Sequence, residues 1–159
     1  MHDRAAFSCG VPELDEYIKL LAGQHARKKI SATSVLLVDS PNRIAGYHSL
    51  SSTRLNLGDL PPALVKLYPR YAEGIPATLL GRLAVDLSYR GNGWGSALLI
   101  NALERALLAT SAVASAFVIV RAVDAQATRF YRRYGFSEFP GDSRRLYLPM
   151  KTVQQLVEQ

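Results

Sequence analysis

Cysteine is nearly absent from this chain, and what is missing narrows the reading before any motif is considered. Cys9 stands alone, so it has no partner for an internal disulfide, and a reducing cytoplasm is the expected setting. The histidines, His2, His25 and His48, are scattered and share no metal-ligand spacing, so no metal is expected. No apolar run reaches membrane-spanning length, since residues 106–120 are interrupted by Thr110, Ser111 and Ser115. The opening Met1-His2-Asp3-Arg4 has no apolar signal core, so secretion is not expected. Repeats, low-complexity tracts and a linker are also missing. That leaves residues 1–159 as one expected domain, long enough to bury a sizeable core.

What is present is positive charge. Hydrophobic content of 48% and charged content of 20% are ordinary for a globular protein, but the net charge is +6 and the pI near 9.7. Basic residues gather at Arg27-Lys28-Lys29, at Arg129, Arg132 and Arg133, and at Arg144-Arg145. Such a field attracts a polyanion such as RNA, and it serves a phosphate-bearing cofactor equally well. Charge alone does not separate the two.

Residues 83–99, LAVDLSYRGNGWGSALL, carry the densest information. A hydrophobic strand leads into a turn with Gly91, Gly93 and Gly95 at alternate positions, then into an apolar helix. A glycine turn before a helix leaves backbone N–H groups aimed outward, and the helix dipole adds partial positive charge there. Glycine also lets the backbone come close to an anion. Arg90 at the entrance adds a charge-assisted contact. A P-loop would need Lys and then Ser or Thr after its last glycine, which Trp94-Gly95-Ser96-Ala97 does not supply. A dinucleotide fingerprint would need Gly or Ala where Ser96 stands, and an acidic residue about 20 positions on.

Taken in order, residues 11–22 carry Leu14, Tyr17, Ile18 and Leu21 on one helical stripe, with Glu13, Asp15 and Glu16 in the first turns. Residues 34–39 predict a buried strand, a turn through Ser40-Pro41-Asn42-Arg43, and a hairpin partner at 44–52. Gly46 within that partner predicts a bulge or a close ligand approach. Residues 54–76, broken by Pro61, Pro62, Pro69 and Pro76, fit a substrate lid or a connector equally. A central strand at 77–85, a helix at 96–108 and an apolar strand at 116–122 follow. Next come a helix at 124–133 capped by Asp124, and a closing hairpin of 136–139 with 146–150. The tail to Gln159 is expected to fray or dock weakly. The alternation of strand and helix from 77 to 139 implies a parallel core with right-handed crossovers.

Arg90-x-x-Gly93-x-Gly95, preceded by Leu83-Ala84-Val85-Asp86, resembles the acetyl-CoA pyrophosphate loop of the GNAT N-acetyltransferase superfamily. Asp124-x-x-Ala127-x-x-Phe130-Tyr131-x-x-Tyr134-Gly135-Phe136 resembles that family's second signature, with Asp124 where many members carry Asn. With Phe7-x-Cys9-Gly10, Leu14-Asp15-x-Tyr17, Ile44-Ala45-Gly46-Tyr47 and Leu80-Gly81-Arg82, the likeness runs from about residue 7 to 148. It narrows to the GNAT-type toxins of bacterial toxin–antitoxin pairs.

The resemblance implies an α/β GNAT fold, a mixed central sheet with a splayed parallel strand pair and helices on both faces. It implies an enzyme that uses acetyl-CoA to acetylate the α-amino group of aminoacyl-tRNA, blocking translation, and that forms a homodimer. Its implied partner is a ribbon-helix-helix antitoxin that also binds DNA. The implied cofactor residues are Leu83, Ala84, Val85, Arg90, Gly91, Asn92, Gly93, Trp94, Gly95, Ser96, Asp124, Ala127 and Phe130. Tyr131 takes the place of the general acid, because a phenol stays protonated at working pH and can donate to a departing thiolate. Tyr134 reads as packing. Backbone N–H groups of Leu83, Ala84 and Val85 are the expected donors to the thioester carbonyl. Asp86 fits orienting the loop or simply capping it, the cap being favoured, and Arg82 is expected to face the other side of the sheet from Leu83, where a substrate or subunit contact is open to it.

Arg129, Arg132 and Arg133, flanking Tyr131 on one helix, are the expected RNA contacts, with Lys28 and Lys29. Two other readings stay open here, a GNAT enzyme of a small amine or protein N-terminus, and a non-catalytic module that retains CoA or RNA binding.

Overall fold

The computed structural model describes residues 3–38, 42–70 and 74–159. Asp39, Ser40 and Pro41, which include the expected strand end and turn, lie outside the described residues. Among the described residues six strands form one sheet in the order β1-β2-β3-β4-β6-β5, mixed as expected, with one parallel pair. The chain divides into two compact units, Met1–Ser51 with Leu80–Ala102, and Ser52–Leu79 with Leu103–Gln159. Strands β2 (Ile44–Leu55) and β3 (Ile75–Val85) and helix α4 (Trp94–Ala109) contribute residues to both.

In the first unit, β1 (Ala32–Leu37) pairs antiparallel with β2. The expected hairpin is there, with β2 three residues longer than the sequence suggested. The Asp86 N–H donates to Ala45 O at 2.8 Å, bringing the end of β3 beside the start of β2, which sets those strands antiparallel.

The N-terminal helical run is longer than 11–22. It comprises α1 (Pro12–Glu16), a π-helical turn over Tyr17–Leu21 and α2 (Ala22–Arg27). The π turn buries both Tyr17 and Ile18. The Tyr17 ring stacks on Tyr47 at 5.9 Å, and its hydroxyl meets Ser31 Oγ at 2.6 Å and Thr33 Oγ1 at 3.0 Å. These rings join Phe7, Cys9, Ile18, Ala22, Ile44 and Ala84 in one core.

Gly46 sits at the expected bulge, where the β1–β2 register shifts between Leu36 and Leu37. The close approach there comes from the protein itself. A Cβ on Gly46 would stand 2.6 Å from Leu98 Cδ1 and 2.8 Å from Ala84 O.

In the second unit, Ala116 N–H donates to Pro76 O at 2.9 Å. The start of β4 (Phe117–Arg121) therefore lies beside the start of β3, the parallel arrangement a crossover through α4 allows. Strand β4 is buried from Phe117 to Val120, as its unbroken apolar run requires. The closing hairpin forms from β5 (Ser137–Phe139) and β6 (Asp142–Pro149), antiparallel, with β6 also pairing β4.

Residues 54–70 are neither bare loop nor free lid. They form a short turn at Leu57–Asp59 and α3 (Pro62–Val65). Leu57, Leu64, Val65 and Tyr68 pack on a core of Leu55, Leu60, Ile75, Ala77, Phe117, Ile119, Phe139 and Tyr147. Asp59 and Arg145 add an ion pair at 3.2 Å.

The expectation of a frayed tail is corrected. Residues Met150–Val157 form α6, with Val153 fully buried and the Met150 N–H bonded to Ala116 O at 2.8 Å.

Candidate active site

One candidate region, in the first unit, is the turn into α4. β3 ends at Val85, and Asp86 begins a short turn at Leu87–Tyr89, its carboxylate accepting the Ser88 N–H at 2.8 Å. The chain then turns left-handed twice, at Gly91 (φ 83°) and Gly93 (φ 78°), a conformation glycine adopts without a Cβ penalty. A Cβ at either position would meet nothing within 4 Å, so the backbone there faces open space. The helical ladder begins with the Ala97 N–H to Gly93 O at 3.1 Å. Trp94 and Gly95, in the first turn, therefore have no intrahelical acceptor for their N–H groups. With sixteen residues of aligned peptides behind it, this end of α4 favours an anion.

Arg90 is exposed, and its Nη2 donates to Cys9 O at 2.8 Å. Asn92, also exposed, reaches Tyr89 O at 3.4 Å. Ser96 lies half-buried in the first turn of α4, and Leu83, Ala84 and Val85 close β3 with only Ala84 fully buried. Arg82 lays its guanidinium 3.6 Å over the Tyr17 ring and donates toward Ser49 Oγ at 3.5 Å.

Burial alone would raise the Asp86 pKa. The Ser8 and Ser88 N–H groups and the Arg43 guanidinium at 3.5 Å outweigh it and hold the carboxyl below its ordinary value. Nothing in the local sequence pointed to Ser8, Cys9 or Arg43 here. The one usable signal was an aspartate ending an apolar strand, which must find donors if it is buried.

A separate candidate region, in the second unit, is α5 (Ala125–Arg133) and the turn after it. Asp124 caps the helix as expected, its Oδ1 accepting the Ala127 N–H at 2.8 Å. That contact occupies one oxygen of a residue the sequence offered as a cofactor ligand. Thr128, buried, ties the helix to β6 by donating to Ser143 O at 3.1 Å.

The helix ends in a Schellman motif. The Gly135 N–H bonds Arg132 O at 3.0 Å and the Phe136 N–H bonds Tyr131 O at 3.3 Å, with Gly135 at φ 97°. Phe136 packs edge-on to Tyr131 at 5.5 Å. The Tyr-x-x-Tyr-Gly-Phe spacing thus has a local cause, since the glycine turns the chain so that Phe136 folds back on Tyr131.

Tyr131 is 6% exposed. Burial pushes its phenol well above the ordinary value, so it holds its proton throughout the neutral range. Tyr134, half-buried at the helix end, packs against Phe130 at 5.4 Å.

Arg129, Arg132 and Arg133 are exposed on α5 and, with Phe130 and Gln126, line an open groove of about 650 Å³. Gln126 was not among the sequence candidates, although helical spacing puts it on one face with Phe130 and Arg133. Lys28 and Lys29, also exposed, belong to the first unit, at the end of α2.

Residues 33–138 match the acetyltransferase (GNAT) domain family. The chain is 32% identical to a tRNA-acetylating toxin of Mycobacterium tuberculosis over 98% of its own length and 90% of that protein's. It is similar to the solved structure of AtaT complexed with acetyl-methionyl-tRNAfMet (29% identity, TM-score 0.88, 98% of this chain and 92% of that one). It is also similar to a mutant AtaT toxin bound to the C-terminus of the antitoxin AtaR and acetyl-CoA (27% identity, TM-score 0.82, 100% and 92%). Turn, helix end and likeness agree, and the chain belongs to the GNAT acetyltransferase family.

Proposed function

We propose that this protein, acting as a single acetyltransferase domain over residues 1–159, transfers the acetyl group of acetyl-CoA to the α-amino group of aminoacyl-tRNA and so blocks translation. The observation that carries the reading is the open left-handed turn at Gly91 and Gly93 heading a long helix, in a chain whose relatives include a tRNA-acetylating toxin. Bare backbone and outward N–H groups suit a pyrophosphate. Acetyl-CoA supplies an activated thioester. Gly91, Asn92, Gly93, Trp94, Gly95 and Ser96 would hold its pyrophosphate together with Arg90, while Asp124, Ala127 and Phe130 would line its path. Backbone N–H groups of Leu83, Ala84 and Val85 would steady the carbonyl oxygen as it gains charge.

An α-amino group has a pKa of roughly 7.7–8.0, so about a tenth of it or more is already neutral near pH 7, and generating the free amine needs no strong base. The proton needed by the leaving thiolate comes from Tyr131, whose buried phenol stays protonated. Arg129, Arg132 and Arg133, with Lys28 and Lys29, would contact tRNA phosphates. The likeness to antitoxin-bound AtaT supports an antitoxin as partner; a ribbon-helix-helix fold for that antitoxin, homodimerisation and a cytoplasmic setting are part of the same proposal. Among the described residues no helix is long and apolar enough to cross a membrane.

The test is acetylation of a charged tRNA pool with labelled acetyl-CoA. Label on aminoacyl-tRNA, lost in Tyr131→Phe, supports substrate class and acid together. Cofactor binding without label on any aminoacyl-tRNA refutes the substrate, and turns attention to small amines and protein N-termini.

A further inference from the structure

Asp86 does more than cap a turn. A cap needs one carboxylate oxygen, and Oδ1 provides it to Ser88. Oδ2 accepts the Ser8 N–H at 2.9 Å, from a segment 78 residues away in sequence. The same segment is fastened twice more. The Leu87 N–H donates to Ser8 O at 2.8 Å, and Arg90 Nη2 donates to Cys9 O at 2.8 Å. The Cys9 N–H in turn is held by Asp15 Oδ1 at 2.8 Å, at the foot of the N-terminal helix. The carboxylate is 2% exposed, so its own two bonds, to Ser8 and Ser88, are sheltered from competing water.

Residues 8 and 9 therefore form a strap along residues 86–90, and the strap's last link is the guanidinium at the entrance of the glycine turn. One of the five N–H donors of Arg90 is committed to Cys9 O, which fixes the direction of the others.

The geometry points to Asp86 as the positioning residue for the pyrophosphate site: through Ser8 and Cys9 it sets where Arg90 and the Gly91–Gly93 backbone stand. This rests on the acetyl-CoA reading of that turn. A residue acting this way affects the donor's pyrophosphate and leaves the thioester chemistry alone, so two acetyl donors separate it from general damage.

Steady-state transfer to charged tRNA is measured with acetyl-CoA and with acetyl-pantetheine, which has the same thioester and no pyrophosphate. For Asp86→Asn the KM for acetyl-CoA is expected to rise about tenfold, the weight of one lost charge-assisted contact, with kcat little changed. With acetyl-pantetheine kcat/KM stays at the wild-type value. Arg90→Gln, at an exposed side chain, should show the same donor-specific loss. The double variant should be no worse than the poorer single one, since both break one chain of contacts.

Equal losses with both donors, or no loss with either, overturn the inference. Should Asp86→Asn fail to fold, Ser8→Pro, which removes the N–H that Asp86 Oδ2 accepts and leaves Arg90 in place, decides it on the same two donors. A wild-type enzyme that uses the two donors equally well overturns the acetyl-CoA reading of the turn itself, and this inference with it.

Discussion

At Gly91 and Gly93 the chain turns left-handed with nothing within 4 Å of where a Cβ would stand. At Gly135 it turns left-handed again, and there Leu148 Cδ1 lies 3.6 Å away. The turn at Gly135 is closed by its own chain. Its N–H and that of Phe136 return to α5 carbonyls, and its reward is a Phe136 ring packed on Tyr131. The first turn satisfies little of itself and is braced from outside, by Asp86, Ser8 and Arg90. One glycine device finishes a helix and places a hydroxyl. The other begins a helix and leaves room. A residue type with the same φ thus tells structure from binding only through what surrounds it.

The largest effect that would sharpen this contrast is at the closed end. Tyr131→Phe should lower kcat on the order of 10²–10⁴-fold while acetyl-CoA affinity, by calorimetry, stays at the wild-type value. Tyr134→Phe, one turn-end away, should leave kcat near wild type. A small fall for Tyr131→Phe would make it one more packed ring.

Gly46 supplies a third kind of glycine, with ordinary φ but no space. Gly46→Ala drives a methyl into Leu98 Cδ1 and into the Ala84 carbonyl, which is backbone and cannot swing aside. It should cost about 1–3 kcal/mol in urea unfolding.

Gly93→Ala and Gly135→Ala then test the two turns directly. Each forces an L-residue left-handed, so each should lose about 1–2 kcal/mol of stability. Only Gly93→Ala should also weaken acetyl-CoA binding, by about tenfold or more, because only there does the new methyl occupy ligand space. Equal affinities would erase the distinction between open and closed turns.

The smallest effect is on the acid side. Asp86 has its folded pKa below the unfolded value, so its contribution is complete above the unfolded pKa. It is lost as pH falls from there through the folded pKa. Wild type should therefore lose stability below about pH 4, and Asp86→Asn should show a flatter acid limb in thermal melts against pH.

Much of this was legible in the chain. Apolar runs gave β4 and both hairpins, and Asp124 announced α5 because a short carboxylate before a helix has few better uses. The spacing of Gly91, Gly93 and Gly95 announced a turn into a helix. Other features left weak local traces. Met150–Val157 is an eight-residue amphipathic segment whose helicity depends on Val153 finding a core. The π turn at Tyr17–Leu21 has no residue signature, and arises where Tyr17 and Ile18 both turn inward. Residues 54–76 read as a lid or a connector because nothing local shows that Leu64, Val65 and Tyr68 pack on the core around Phe117.

By itself the sequence determined the types of the sheet strands and of helices α4 and α5, the glycine turn, the tyrosine-glycine-phenylalanine helix end and the family, because each is written in spacings of a few residues. Periodicity, caps and left-handed positions act at that range. Tertiary structure decided which donors Asp86 would find, why Gly46 must be glycine, and that Arg90 leans on Cys9. Those outcomes depend on groups far apart in the chain meeting at distances under 4 Å, and only packing brings them there.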